Sequence, residues 1–371
     1  MRKLKVALQQ RVVPEYRVPF LEKLANLPQI DLCVFSGSPH PREMIQTPTT
    51  PPDFDYTIGK NWHFFDHKLY FCIQPGLKKW LREKAPQIVI MEANPRYLSS
   101  RFVLPELKNK RIGLIGWGLG VPKHDGRPSS LRGLFRSNFL LQFDAIIAYS
   151  HTGRQQYIQS GIPAEKVVVA ANATAARPTN PPPDRGVGYR NGQPVVLFVG
   201  RIQSRKKVDT LIRVCSRIDP AIRPKLWIVG EGSALPGLRS VAEKYFPETK
   251  FWGAQFGNDL NSIFAQADLF VLPGTGGLAI QEAMASALPV IVAEGDGTQS
   301  NLVNEETGWL VPPNDEEALL SILQTALHDP SRLRKMGTAA YRKVAEEVNI
   351  DQMAAVFTET ILRVAQQKER I

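Results

Sequence analysis

At 371 residues, 43% of them apolar and 22% charged, the chain is too long for one ordinary core, and two domains are expected. No apolar run reaches the roughly 20 residues of a membrane span, and Cys33, Cys72 and Cys215 lack paired spacing, which excludes a disulfide framework and leaves them as buried small hydrophobes. The net charge of +11 is lopsided, since residues 1–180 hold 25 Lys and Arg against 13 Asp and Glu while residues 181–371 hold 21 against 22, so an anionic partner is drawn to the first half alone.

The N-terminal run MRKLKVALQQ has too short an apolar stretch for a signal peptide, and the expected compartment is the cytoplasm. Strand-like runs follow at Leu4–Leu8, Ile30–Phe35, Ile88–Met91, Ile112–Ile115 and Ala145–Tyr149, separated by helical patterns. That alternation predicts an α/β fold whose parallel sheets are covered on both faces. The first strand leads into ALQQRVVPEYRVPFLEKL, where Arg11, Tyr16 and Arg17 read as a surface loop with an arginine able to touch phosphate or acceptor. TPTTPPDFDYTIGK reads as an irregular loop; its Asp53 and Asp55 have metal-binding spacing, but they follow a proline cluster where a metal site would follow a strand. SSLRGLFRSNFLLQF sets Leu131, Leu134, Phe135 and Phe139 at helical spacing beside Arg132 and Arg136, with Lys123 and Arg127 just ahead. A helix packed inward and one lying on an anionic membrane both produce that pattern. No helix-turn-helix, zinc spacing or RNA-binding aromatic signature is present, so nucleic acid is not an expected partner.

ARPTNPPPDRGVGYRNGQP separates the halves as a linker. Beyond it, strands are predicted at Val195–Val199, Lys225–Val229, Leu269–Leu272 and Pro289–Val292. VVLFVGRIQSRKKVDTLI places Gly200, Arg201 and Lys206 directly after a buried strand, where two cations favour a diphosphate: Arg forks across two oxygens and Lys supplies a mobile point charge. A solvated basic loop is the plainer alternative. The next strand ends at Gly230-Glu231-Gly232. VLPGTGGLAIQEA then runs from a strand through Gly274, Gly276 and Gly277 into a helix carrying Glu282 two turns in, placed to accept from hydroxyls. Ligands of open parallel sheets bind outside the C-terminal strand ends, where these residues would converge. AEGDGTQSNLV lines the same region.

The order VGRIQSRKK, VGEG, FWG, ADLFVLPGTGGLAIQEAMASALPVIVAE and TGWLVPP resembles the C-terminal half of GT-B glycosyltransferases of retaining group 4, over roughly residues 195–330. The resemblance implies two Rossmann-like domains with parallel sheets facing across a cleft. The expected division is 1–180 for the acceptor, 181–194 as linker, 195–354 for the nucleotide sugar, and a C-terminal helix, 355–371, returning to the first domain. It further implies that Arg201 and Lys206 bind the donor diphosphate and stabilise the leaving nucleotide. Glu282 then holds the ribose, as the second glutamate of the family's Glu-x7-Glu motif, and Gly277 with Leu278 faces the donor sugar. Gly200, Glu231 and Gly276 complete the expected donor set. His124, close to where relatives place an active-site histidine, is the candidate acceptor-side catalytic group. No cofactor and no metal is implied, the nucleotide sugar being a co-substrate.

The chain departs from the family where the first motif glutamate should stand, at Gly274, and again at Asn301 and Lys207. The expected activity is retaining hexosyl transfer from a nucleotide sugar to a saccharide or lipid-linked acceptor, in cell-surface polysaccharide or glycolipid synthesis, with a peripheral position on the inner face of an anionic membrane. The alternatives are a sugar-nucleotide epimerase of the same fold and a non-catalytic sugar-nucleotide binding protein, to which Gly274 would suit.

Overall fold

The computed structural model describes all residues except 1–2, 41–42, 44, 66–69, 122–130, 180, 277, 296–298 and 370–371. Two compact units partition the chain: unit 1 is Met1–Thr174 with Ile350–Ile371, and unit 2 is Ala175–Asn349.

Unit 1 runs β1 (Leu4–Gln9), α1 (Val18–Ala25), β2 (Ile30–Gly37), β3 (Asp55–Gly59), β4 (Trp62–Phe64), β5 (Phe71–Ile73), α2 (Leu77–Lys84), β6 (Ile88–Glu92), α3 (Leu98–Asn109), β7 (Gly113–Gly118), α4 (Leu131–Leu140), β8 (Ala145–Ala148), α5 (His151–Gln159) and β9 (Val167–Val169). Seven strands pair in parallel in the order β3-β2-β1-β6-β7-β8-β9, and β4 and β5 form a separate antiparallel hairpin. The strands are apolar at successive positions because both faces are covered. Val6, Leu8, Ile88 and Ile90 pack under α1 and the C-terminal helix Ile350–Glu369, whereas Ala7, Val89 and Met91 belong to the core beneath α2 and α3. Phe357 of that C-terminal helix meets Phe20 and Trp117 at centroid distances of 4.9 and 5.0 Å.

The segment expected to be an irregular loop around Asp55 is in fact the edge strand β3, paired with β2 from Cys33↔Asp55 to Gly37↔Gly59. The prolines stop at Pro52, after which Asp-Tyr-Thr-Ile-Gly is free to donate to a ladder. Lys84 donates to Asp55 Oδ2, which gives that carboxylate a structural partner.

Unit 2 runs β10 (Val195–Val199), α6 (Val208–Ser216), β11 (Lys225–Val229), α7 (Leu235–Tyr245), β12 (Lys250–Gly253), α8 (Gly257–Gln266), β13 (Leu269–Leu272), α9 (Leu278–Ala285), β14 (Val290–Ala293), α10 (Gln299–Leu302), β15 (Gly308–Val311), α11 (Glu316–His328) and α12 (Pro330–Glu346). Its parallel sheet has the order β12-β11-β10-β13-β14-β15. On α6, Val208, Leu211, Ile212 and Cys215 are all buried, the i, i+3, i+4, i+7 stripe of a helix facing a sheet. Asp315 and Asp329 cap α11 and α12 by accepting from the third residue on, each at 2.9 Å. The proline-rich stretch before β10 is bound into unit 2, because the Arg185 guanidinium donates to the carbonyls of Phe264, Ala267, Ser286 and Ala287.

In both sheets the strand order reverses once beside the first strand of the unit: between β1 and β6 in unit 1, and between β10 and β13 in unit 2. The loops leaving those strands diverge to opposite faces, and the opening between them is where sheets of this kind receive ligands.

Candidate functional site

At the reversal point of unit 2, the loop after β10 and the turn after β13 are in direct contact. The Gly200 N–H donates to Val229 O at 3.0 Å, and the chain continues through Arg201 into a single turn of 3-10 helix, Ser204–Lys206. The Thr275 N–H donates to Arg205 O at 3.1 Å, and Arg205 Nη1 reaches Thr275 Oγ1 at 3.5 Å. The approach is close enough that a Cβ on Gly276 would stand 2.1 Å from Lys206 Nζ, and one on Gly274 2.2 Å from Arg205 O and 2.6 Å from Lys206 Cα. At Gly274 the neighbours are main-chain atoms and the glycine is a packing requirement; at Gly276 the neighbour is the tip of a flexible lysine, and the positive φ of 125° is what favours glycine.

The half-buried Lys206 side chain makes no hydrogen bond or ion pair among the described residues, although its backbone N–H donates to Gln203 O at 2.8 Å. Burial lowers its pKa to about 8, and the positive charges of Arg205 and Arg201 push the same way. A lysine held near two arginines, with its proton weakly bound, is a site prepared for an anion. Glu282 lies in the second turn of α9 with its side chain reaching solvent, yet desolvation by the surrounding protein raises its carboxyl above the ordinary range. Glu231 is exposed at the end of β11, and its backbone carbonyl receives the Ile202 N–H at 2.9 Å, tying that loop to the Arg201 loop.

The structure therefore brings Gly200, Arg201, Lys206, Glu231 and Gly276 to adjoining strand ends. Gly277, the side chain of Leu278 and His124 lie outside the described residues. One residue of this neighbourhood was not singled out within its segment AEGDGTQSNLV: Gln299, 2% exposed, donates through Nε2 to Gly276 O at 3.3 Å. Glutamines are common on surfaces, so only the burial marks it.

At the reversal point of unit 1 lies a second polar cluster. Glu92 ends β6 and accepts the Arg11 N–H on Oε2; its Oε1 takes no hydrogen bond among the described residues. Arg11 Nη1 pairs with Glu43 Oε2 at 2.8 Å, and the Arg11 side chain also bonds the Tyr97 hydroxyl, which burial holds well above the ordinary tyrosine range. Burial pushes the Glu92 carboxyl up to about 7 against the opposing pull of Arg11 and Arg17. Arg17 is itself buried, stacked 4.7 Å over Trp117, with Nη2 donating to Asn172 Oδ1 at 2.7 Å. The sequence named Arg11 and Arg17 and passed over Glu92, although a carboxylate closing the apolar run Ile88–Met91 is itself unusual.

Two Rossmann-like units with parallel sheets define the GT-B fold, and solved structures share it across nearly the whole chain. The UDP complex of HepE from Anabaena superposes with a TM-score of 0.73 at 17% identity, covering 97% of this chain and 100% of that one. The sucrose-phosphate synthase of Thermosynechococcus elongatus gives 0.70 at 19%, covering 98% and 99%. Residues 184–343, within unit 2, match the family model "Glycosyl transferases group 1". Among curated proteins, a sulfoquinovosyl transferase of Arabidopsis thaliana is 29% identical over 222 residues, which is 53% of this chain and 42% of that protein. A GDP-mannose-dependent alpha-mannosyltransferase of Mycobacterium tuberculosis is 34% identical over 146 residues, 38% of this chain and 36% of that protein. The matched region thus spans less than half the length of these relatives.

Proposed function

We propose that the chain is a retaining glycosyltransferase of group 4 that moves a hexosyl group from a nucleotide sugar to a saccharide or lipid-linked acceptor, without metal or cofactor. In this reading Arg201 and Lys206 hold the diphosphate, Glu282 accepts from the ribose hydroxyls, and Gly276, Gly277 and Leu278 face the sugar, with Gly200 and Glu231 completing the wall. As the bond from the anomeric carbon to the diphosphate oxygen breaks, its electron pair passes to the diphosphate, and Lys206 stabilises the charge that develops there. The acceptor hydroxyl oxygen bonds to the same face of that carbon as its O–H bond breaks, and the proton passes to the departing diphosphate oxygen. His124 is the acceptor-side polar group of this proposal. The observation that carries it is the contact of the Arg201–Lys206 loop with the Gly274–Gly276 turn at the reversal point, around a lysine whose side chain has no partner of its own among the described residues. Names such as mannosyltransferase and sulfoquinovosyl transferase among the relatives, and UDP in a neighbouring structure, support a nucleotide-sugar donor.

Calorimetric titration with UDP, GDP, ADP and dTDP tests the reading. One of the four should bind, and Glu282→Ala should weaken it by about tenfold or more, since a hydroxyl hydrogen-bonded to a carboxylate contributes roughly 1.5–3 kcal/mol. Binding by none of the four would sink the assignment.

Synthesis of a cell-surface polysaccharide or glycolipid would place unit 1 against an anionic membrane surface. No described helix is long and apolar enough to cross a membrane, so association would be peripheral. The helical stripe expected from the sequence divides in the structure: Phe139 is fully buried, while Leu134 and Phe135 are 55% and 54% exposed. The Arg101 guanidinium lies 3.4 Å over the Phe135 ring. Apolar side chains flanked by arginine suit an interface that is apolar within and anionic at its surface. Replacing Leu134 and Phe135 together by Ser should reduce partitioning onto vesicles containing phosphatidylglycerol by roughly tenfold, because two half-exposed side chains bury about 1–2 kcal/mol of apolar surface there. Equal sedimentation of both proteins with the vesicles would contradict this.

A further inference from the structure

We propose that Glu92, at the strand reversal of unit 1, is the contact that reads a hydroxyl group of a neutral sugar acceptor. The inference rests on the transferase reading and names the acceptor chemistry within it.

Position comes first. Gln9 to Arg11 leave β1 and Glu92 ends β6, so the two segments flank the opening between diverging loops, the same topological place that holds Arg201, Lys206 and the Gly274 turn in unit 2. Commitment of the neighbours comes second. Gln9 Nε2 donates to Gln74 Oε1 at 2.5 Å, Gln74 Nε2 to Gln10 O at 3.1 Å, and Ser99 Oγ to Gln74 O at 3.2 Å, so the Gln9 and Gln74 amides are engaged, while Gln10 Oε1, which has no partner among the described residues, is sealed from solvent. The Arg11 guanidinium is taken by Glu43, and Arg17 is buried on Trp117 and Asn172. What the cluster leaves open is an acceptor: Glu92 is part-exposed, one of its oxygens holds the Arg11 N–H, and the other has no partner among the described residues.

An open acceptor beside committed cations is matched by a donor without negative charge. A sugar hydroxyl supplies that donor. A phosphorylated acceptor would bring its charge against a carboxylate, with the Arg11 guanidinium already held by Glu43 and the Arg17 guanidinium sealed from solvent at 3% exposure. The basic excess of unit 1 then acts at the surface, and recognition at the strand ends is neutral.

The test uses the full chain and ligand-observed NMR with the methyl pyranosides of glucose, galactose and mannose, and with the 6-phosphates of the same hexoses. At least one neutral glycoside should bind, no phosphate should bind more tightly, and Glu92→Gln should weaken the glycoside by about tenfold while leaving the melting temperature and any nucleotide affinity unchanged. Glycoside affinity should also rise with pH through the neutral range in the wild-type protein and stay flat in Glu92→Gln. The groups facing Glu92 are Arg11, Arg17, Cys72, Tyr97 and Tyr149; burial pushes the Cys72 thiol up to about 11 and raises both tyrosine hydroxyls, so all three stay above the neutral range. The proposal is overturned if a hexose phosphate binds tenfold more tightly than its neutral counterpart, if Glu92→Gln binds glycosides as the wild type does, or if no neutral glycoside binds. Failure of all four nucleotides in the calorimetric titration would strike the donor assignment and leave these outcomes readable.

Discussion

Lys206→Ala is expected to lower the rate of transfer by about 10²–10³, the range seen when a single preorganised group is removed from developing negative charge, and to leave the fold intact. The second half follows from the environment. Burial and two neighbouring arginines already disfavour the charged lysine, so its removal relieves an electrostatic penalty. The same facts set a pH dependence. Below a pKa of about 8 the ammonium is present to meet a diphosphate; as pH rises through that value the free protein loses the proton and nucleotide affinity falls, levelling once the pKa of the bound state is passed. In Lys206→Ala the affinity should be weaker and flat across this range. Stability moves the other way. The folded-state pKa is depressed from 10.5 to about 8, so between these values the unfolded chain binds more protons and stability rises with pH, an increment the variant should lack. Turnover equal to wild type, measured with the nucleotide sugar whose base the titration identifies, would remove Lys206 from the site.

Local chemistry decides which parts of this protein were legible from its residues. Val195–Val199 and Lys225–Val229 are bounded in the structure as the apolar runs are bounded in the sequence, because each is a buried strand with a Gly immediately after it. Asp55–Gly59 was hidden by the prolines before it, and its short alternation is that of an edge strand that buries little. Arg201 and Lys206 announce themselves because both cations fall within the seven residues after one strand. Glu92 could not, since the N–H that holds it comes from Arg11, 81 residues earlier, and only the sheet order makes them neighbours. Gln299 is hidden in the same way, its partner Gly276 lying 23 residues before it. Gly274 was legible as a missing carboxylate and misleading as such, because the sequence shows that a side chain is absent and cannot show what fills its place.

What fills it is backbone, and this makes Gly274→Glu the sharper experiment. If the glycine were simply a lost contact to the donor sugar, restoring the family's glutamate should improve binding or turnover. The geometry forbids that outcome in the present conformation. A Cβ at 274 would lie 2.2 Å from Arg205 O, 2.5 Å from Lys206 C and 2.6 Å from Lys206 Cα, distances at which main-chain atoms must move. Those atoms belong to the loop that carries the candidate diphosphate ligands, and the hydrogen bond from Thr275 N to Arg205 O holds the two segments together. Forcing them apart should destabilise the protein by about 2–3 kcal/mol, the upper part of the usual range for overpacking, or a fall in melting temperature of roughly 4–12 °C for a unit of this size. Nucleotide affinity should fall at least about tenfold with it, since Lys206 Nζ is displaced from its place beside Gly276 and each 1.4 kcal/mol lost is a factor of ten. Gly274→Ala separates shape from charge: it carries the same Cβ without the carboxylate and should show most of both losses. A Gly274→Glu protein that melts as the wild type does and binds nucleotide as tightly would mean that the loop yields freely, and the close contact between the two motifs would no longer explain the glycine.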